Sequence, residues 1–211
     1  MFGMFKSKPK TRALLVVDVQ NDFCPGGALA VPDGDKVVPV INKLQAEFEI
    51  IVATKDWHPA NHVSFVSTHA GQRVGDMVDA ETGSQRLWPD HCVQGSKGAE
   101  FAPGLEAGKF QKVFEKGVDP QIDSYSGFYD NGFVRETGLR AWLAAKKVQE
   151  VHIVGLATDY TVKFTALDAK KCGFDAFVIK EGCRAVNLNP GDDERAFKEM
   201  QTSGINVVSV K

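Results

Sequence analysis

The sequence predicts an α/β fold built on a mostly parallel sheet with helices on both faces. Short apolar runs rich in Val, Leu and Ile alternate along the chain with segments whose apolar residues recur at helical spacing. Such alternation is typical of parallel strands that are joined by crossover helices. The chain has 211 residues, of which 43% are hydrophobic, and this size and composition fit one large domain with a full core.

The first part of the chain supplies three predicted strands and one helix. Residues 13–19 (ALLVVDV) form a nearly continuous apolar run, which is typical of a strand buried on both faces. Residues 35–48 place apolar side chains at helical spacing, and Pro39 falls in the first turn, where proline is tolerated. A second strand is predicted at 49–54 and a short third strand at 113–115.

The second part continues the alternation. We expect a helix at 139–147, a strand within 148–156 and a helix at 159–172 that ends before Gly173, a typical C-terminal cap. The remaining predicted elements are a strand at 174–180, a helix at 192–200 and a strand at 205–210. The stretch between Trp57 and Gln111 shows little periodicity and is predicted to be a long functional loop.

Composition narrows the classes of function. The 25 Lys+Arg and 27 Asp+Glu give a formal charge of −2, which does not suggest nucleic acid as a partner. No apolar run approaches the ~18 residues of a membrane span. Residues 1–12 do not resemble a secretory signal and are predicted to be a flexible leader before a single domain at 13–211. The four cysteines lie far apart without a C-x-x-C pair, which predicts reduced thiols and a cytoplasmic location.

Charged residues follow two of the predicted strands, at the sheet edge where α/β proteins gather their functional groups. Asp18 ends the first apolar run, and a buried carboxylate there is costly unless it is paired or used. It is either a cap for loop amides or a catalytic group. Lys116 follows the third strand and is either a surface charge or, close to Asp18, the partner of an ion pair that sets both protonation states.

A metal site is predicted after the second strand. Asp56 and His58 stand at i and i+2 of an extended segment and therefore point the same way, and His91 of the long loop can add a third ligand. Two imidazoles and a carboxylate suit zinc, iron or manganese and leave positions open for water or substrate. His62 is either an extra ligand or a hydrogen-bond partner of a ligand.

The fourth strand runs into a turn at 155–161 (GLATDYT) before a predicted helix. Free N–H groups at a helix start attract negative charge, so this turn can stabilise an oxyanion. A plain N-cap by Thr158 or Asp159 is the alternative, and the spacing permits both.

Five stretches of the chain resemble the nicotinamidase (pyrazinamidase) family of isochorismatase-like hydrolases. In the family's order and spacing they are LLVVDVQNDFCPGGALAV, ATKDWHPANHVSF, LWPDHCVQGSKGAEF, FEKGVDPQIDSYSGFYDN and GLATDYTVKFTALDA. The resemblance covers the whole chain after the leader. It implies a six-stranded, Rossmann-like three-layer fold and a small-molecule substrate, nicotinamide or pyrazinamide, that is deamidated with release of ammonia. Homo-oligomers are compatible with the family.

The resemblance also implies roles for single residues. Asp18 and Lys116 match the catalytic Asp and Lys of the family. The ligands for one divalent transition metal match Asp56, His58 and His91, with His62 as a further candidate. The aromatic residues that enclose the pyridine ring match Phe23 and Trp88. The amides of Ala157 and Thr161 match the oxyanion-hole donors, and a cis peptide bond is expected before Ala157.

The chain departs from the family at its nucleophile. The family has cysteine in the motif D-Y-C-V, whereas this chain has Thr161 in DYTV. The family's thiolate forms by proton transfer to the Asp and attacks the amide carbon to give a thioester. A threonine hydroxyl is a far weaker acid, and its methyl group crowds the approach. We therefore expect a nearly inactive chain that still binds metal and a pyridine carboxamide. Cys92 does not obviously replace the nucleophile, because it is not at a helix start.

Two other functions stay open at this point. An isochorismatase-type hydrolase that works by acid chemistry on an enol ether needs no cysteine, but it has no use for the predicted metal ligands. A non-catalytic protein that binds a pyridine ligand is the second. A dinucleotide-binding Rossmann domain is disfavoured because no G-x-G-x-x-G follows the first strand.

Overall fold

A six-stranded parallel sheet forms the centre of the protein. The structure is a computed structural model that describes residues 9–210. In spatial order the strands are β5 (Lys112–Lys116), β2 (Ile50–Asp56), β1 (Arg12–Val17), β6 (Glu150–Leu156), β7 (Asp175–Arg184) and β8 (Asn206–Val208). All five pairings are parallel, so the α/β fold and the six-stranded parallel sheet are confirmed.

Helices cover both faces of the sheet. Along β1 the side chains alternate, and Leu14 and Val16 face the layer that contains α1 (Val37–Gln45). Leu15 and Val17 face the opposite layer. That layer contains α2 (Leu139–Ala145), α3 (Lys163–Lys171) and α4 (Asp192–Thr202). Burial on both faces explains the continuous apolar run of this strand. No helix in residues 9–210 has the length and apolar character needed to cross a membrane.

Several boundaries differ from the predicted ones. Strand β2 continues through Asp56, and β7 continues beyond residue 180 to Arg184 after a shift of register against β6. Gly182 permits this continuation, because a Cβ there would lie 2.6 Å from a Val154 methyl carbon. The helix predicted at 159–172 begins instead as a wide π-helical turn, Thr158–Val162, before α3.

The stretch between β2 and β5 was predicted to be a loop without periodicity, and this is wrong for one segment. Strands β3 (Met77–Ala80) and β4 (Gly83–Arg86) form an antiparallel hairpin there. Four-residue strands of mixed polarity are too short to show an alternating pattern. The predicted leader lies mostly outside the described residues, and strand β1 already begins at Arg12.

Candidate active site

A buried group of charges lies beyond the carboxyl ends of β1, β2 and β5. Asp18 follows β1 with φ 50, and Thr54 Oγ1 donates to its Oδ1 over 2.7 Å. Lys116 Nζ lies 2.9 Å from Asp18 Oδ2, contacts the Asp56 carboxylate and donates to the Ser124 carbonyl at 2.9 Å. The parallel register places Asp56 and Lys116 side by side. Because Lys116 is buried, the alternative of a surface charge is wrong.

Burial and the ion pairs set the protonation states of this group. Burial raises the pKa of Asp18 to about 6, against the opposing effect of Lys116 and with a contribution from the Asp56 charge. Burial acts to raise the pKa of Asp56 as well, but Lys116 and His58 hold this pKa far below its usual range. Asp56 is therefore a permanent anion, whereas Asp18 can exchange a proton near neutral pH.

Asp56, His58 and His91 bring three donor atoms together. Asp56 Oδ2 lies 3.7 Å from His58 Nε2 and 3.8 Å from His91 Nε2, and all three side chains are buried. His58 Nδ1 is 2.8 Å from the Gly117 carbonyl, and His91 Nδ1 is 2.7 Å from the Pro89 carbonyl. Because a carbonyl only accepts, each Nδ1 carries a proton, and in the neutral ring each Nε2 presents its lone pair to the site.

These residues fit a divalent transition metal. Bonds of about 2.1 Å at tetrahedral angles separate the donor atoms by roughly 3.4 Å, a few tenths of an ångström less than the separations found here. Burial lowers the pKa of His91 to about 4, so its imidazole is neutral, as a metal ligand must be. Gly117 lets the His58 ring approach closely, because a Cβ there would lie 2.3 Å from His58 Cε1.

Gln20 holds the backbone of the carboxylate donor in place. Its Nε2 donates to the Asp56 carbonyl at 2.8 Å and to the Ala99 carbonyl at 3.0 Å, and its Oε1 accepts from the Asp56 N–H at 2.8 Å. Gln20 follows β1 closely and was not singled out in the sequence analysis. A fully buried amide requires partners of this kind.

A cavity opens above the three donors. Phe23 and Trp88 supply aromatic walls, and Trp88 Nε1 donates to the Tyr125 hydroxyl at 3.2 Å. Asp56, His58, His91, Ala157 and Thr161 also line it. Lining residues that the sequence did not single out are Leu29, Asp123, Ser124, Tyr125, Tyr160 and Val186. Asp18 and Lys116 do not line the cavity. Lys116 contacts two residues that do line it, Asp56 and Ser124.

The turn after β6 forms one side of this cavity. The Leu156–Ala157 peptide bond is cis, as expected. The N–H groups of Tyr160 and Val162 both donate to the Ala157 carbonyl, at 3.1 and 3.0 Å. The plain N-cap by Thr158 or Asp159 is wrong, since Ala157 holds the N-cap position. The Asp159 carboxylate instead accepts the N–H groups of residues 186 and 187, at 3.0 and 2.8 Å, and ties their loop to the turn.

Thr161 lies in the cavity wall, and its hydroxyl donates to the Leu156 carbonyl. A carbonyl cannot remove this proton, so the hydroxyl has no base where it stands. Cys92 is no substitute nucleophile. Burial, followed by the charges of Asp56 and Asp22, raises the pKa of its thiol well above the usual value, so the thiolate does not form at neutral pH.

Comparison with known proteins identifies the family. The isochorismatase domain matches residues 12–211. The chain is 48% identical to the nicotinamidase of Escherichia coli K12 over 94% of this chain and 95% of the relative.

Two solved structures are similar as well. The Acinetobacter baumanii nicotinamidase pyrazinamidase superposes with a TM-score of 0.92 at 44% identity, over 96% of this chain and 97% of the other. The pyrazinamidase of Pyrococcus horikoshii in complex with zinc superposes with a TM-score of 0.77 at 39% identity, over 94% and 99%. The protein therefore belongs to the isochorismatase family of hydrolases, and within it to the group formed by the nicotinamidases.

Proposed function

We propose that this chain is a metal-dependent amidohydrolase of the nicotinamidase type whose nucleophile position holds Thr161, which leaves it nearly inactive toward nicotinamide and pyrazinamide. The observation that carries the proposal is the position of Thr161 in the same aromatic cavity as the donors Asp56, His58 and His91. The similarity to nicotinamidases supports nicotinamide as the substrate. The zinc complex of the Pyrococcus relative supports a divalent transition metal as the cofactor.

The cavity suits a small, neutral, planar amide. Phe23 and Trp88 offer their rings to a pyridine or pyrazine ring. Neither lysine nor arginine is among the residues that line the cavity, so an anionic substrate has no cationic side chain to pair with there. This argues against the isochorismatase alternative, because isochorismate carries two carboxylates whose burial requires partners.

The metal centre comprises Asp56, His58 and His91, with His62 as the candidate fourth ligand. Zinc, iron and manganese all accept such donors. A divalent ion bound there supplies Lewis-acid polarisation to an oxygen or nitrogen of the ligand. Metal analysis of the purified chain tests this part: we expect about one equivalent, whereas an isochorismatase-type mechanism has no use for one.

Asp18 and Lys116 have the properties of a proton-transfer pair. Asp18 Oδ2 lies 2.9 Å from Lys116 Nζ, and the oxygen keeps a second lone pair that can take a proton. With cysteine at position 161, Asp18 takes the thiol proton and the thiolate attacks the amide carbon. The carbonyl oxygen becomes an oxyanion beside the backbone amides of Ala157 and of residue 161 itself. Asp18 then returns the proton to the leaving ammonia, and water hydrolyses the thioester.

The acid limb of the pH profile tests the role of Asp18. Only the deprotonated carboxylate accepts a proton, and its pKa is raised to about 6. We therefore expect kcat/KM of the Thr161→Cys protein to fall about tenfold per pH unit below pH 6, followed as ammonia release. A limb near pH 4, the ordinary range of an aspartate, contradicts the role of Asp18 as the base.

A further inference from the structure

A short 3₁₀ turn after β1, Asn21–Phe23, lies against several parts of the candidate site. Phe23 at its end supplies a wall of the cavity. Gln20, immediately before the turn, holds the backbone of the donor Asp56. Asp22 lies between Gln20 and Phe23 in the chain, but its carboxylate belongs neither to the cavity lining nor to the donor set.

The Asp22 carboxylate binds the backbone beside a metal donor. Its Oδ2 accepts the N–H of Cys92 at 2.7 Å, and Cys92 directly follows the donor His91 in the chain. Cys92 is fully buried, so its N–H requires an acceptor inside the protein. Its backbone is left-handed, with φ 47, a conformation that residues other than glycine rarely adopt. A hydrogen bond to a carboxylate is stronger than one to a neutral acceptor, and here it holds the left-handed residue in place.

Cys92 also joins the two imidazole donors. Its carbonyl accepts the N–H of His58 at 3.0 Å, and the His58 carbonyl accepts the N–H of Gln94 at 2.8 Å. The residue that Asp22 fixes is therefore connected to His91 through the chain and to His58 through a hydrogen bond. A shift of the Cys92 backbone changes the separation of the two donor nitrogens, and metal affinity depends on how the groups around the ligands orient them.

The Asp22 carboxylate is confined to one position. Its Oδ1 accepts the N–H of Ala28 at 3.2 Å, while Oδ2 is engaged by Cys92. Gly98 approaches it so closely that a Cβ there would lie 2.0 Å from Oδ2 and 2.3 Å from Cγ. Two hydrogen bonds and the neighbouring backbone of Gly98 thus leave the carboxylate no room to move.

We propose that Asp22 is a positioning residue of the metal centre, which sets the separation of His58 and His91 by fixing the backbone of Cys92. Asp22 itself touches neither the ion nor the substrate. This inference rests on the metal centre proposed above and adds a residue that acts through the backbone of its ligands.

Metal binding by the otherwise unchanged chain tests the proposal. The dissociation constant for Zn²⁺ is measured by competition with a chromophoric chelator, and the visible spectrum of the Co²⁺ form reports the geometry of its ligands. We expect Asp22→Ala to weaken Zn²⁺ binding by about 10- to 100-fold and to change the Co²⁺ spectrum. Asp130→Ala is the matched control and should change neither. Asp130 is also partly buried and accepts two backbone N–H groups, at 2.8 and 2.9 Å, but it lies outside the cavity lining and the donor set.

Gly98→Ala tests the same carboxylate without removing it. The added methyl group cannot share the space of the Asp22 carboxylate, so the carboxylate must move away from the Cys92 N–H. We expect weaker Zn²⁺ binding here as well. This variant carries the test where Asp22→Ala fails to fold, as reported by the melting temperature of the metal-free protein.

The outcomes separate this inference from the proposed function. Tight stoichiometric binding by the unchanged chain, with equal affinity in Asp22→Ala or in Gly98→Ala, overturns the role of Asp22 and leaves the metal centre standing. An equal loss of affinity in Asp130→Ala assigns the effect to lower stability and overturns that role too. No stoichiometric binding by the unchanged chain contradicts both the positioning role and the metal centre.

Discussion

Replacing Thr161 with cysteine should raise the rate of ammonia release from nicotinamide by on the order of 10³-fold or more, because loss of a nucleophile elsewhere costs up to about 10⁶-fold in kcat. A thiol has an unperturbed pKa of about 8.5, and a nearby lysine and a helix start lower it further. The threonine hydroxyl, by contrast, donates its hydrogen bond to the Leu156 carbonyl, and a carbonyl oxygen is not a base that can remove the proton. Steady-state ammonia release by the two purified proteins measures the difference.

Thr161→Ser is the matched control for this change. Serine removes the methyl group but keeps the hydroxyl, so it separates steric crowding from acidity. We expect its rate to stay within about tenfold of the unchanged chain, since a hydroxyl needs a base to become a nucleophile. An equally slow Thr161→Cys protein contradicts the amidohydrolase proposal. Tight nicotinamide binding without turnover in that protein would favour the non-catalytic alternative.

Replacing Lys116 with methionine should lower the free energy of unfolding by about 3–5 kcal/mol, because it leaves buried carboxylates without their counter-charge. Asp18 and Asp56 both contact the ammonium group in a place closed to water. Urea unfolding followed by circular dichroism measures the loss. Lys112→Met is the control, since Lys112 is exposed on the same strand, and we expect a change within about 0.5 kcal/mol there.

A double variant tests the cause of that instability. Adding Asp18→Asn to Lys116→Met removes one of the two uncompensated charges, so the double variant should be more stable than Lys116→Met alone. Strict additivity of the two single changes contradicts the coupling of these side chains through charge. In the Thr161→Cys protein, Asp18→Asn alone should abolish ammonia release while the protein remains folded.

The parallel sheet could be predicted because the strands that bury both faces, above all β1, are continuous apolar runs. The order of the strands in space does not follow from such runs, since it depends on tertiary pairing. The β3–β4 hairpin escaped prediction because its strands of four residues carry no detectable periodicity.

The candidate site was predictable where residues stand at strand ends and match a family motif, as Asp18, Asp56 and His58 do. The sequence allowed Lys116 to be either a surface charge or an ion-pair partner. The structure buries its side chain, so the second interpretation is the correct one. Gln20 and Asp22 could not be assigned, because their partners lie on segments distant in sequence, such as Cys92 of the long loop.

Anomalous diffraction from a zinc-loaded crystal soaked with nicotinamide tests the central claim most directly. We predict one anomalous peak among Asp56, His58 and His91, with an intact pyridine ring between Phe23 and Trp88 and its carboxamide directed at Thr161. A peak elsewhere on the molecule, or a ring bound outside this cavity, would contradict the account.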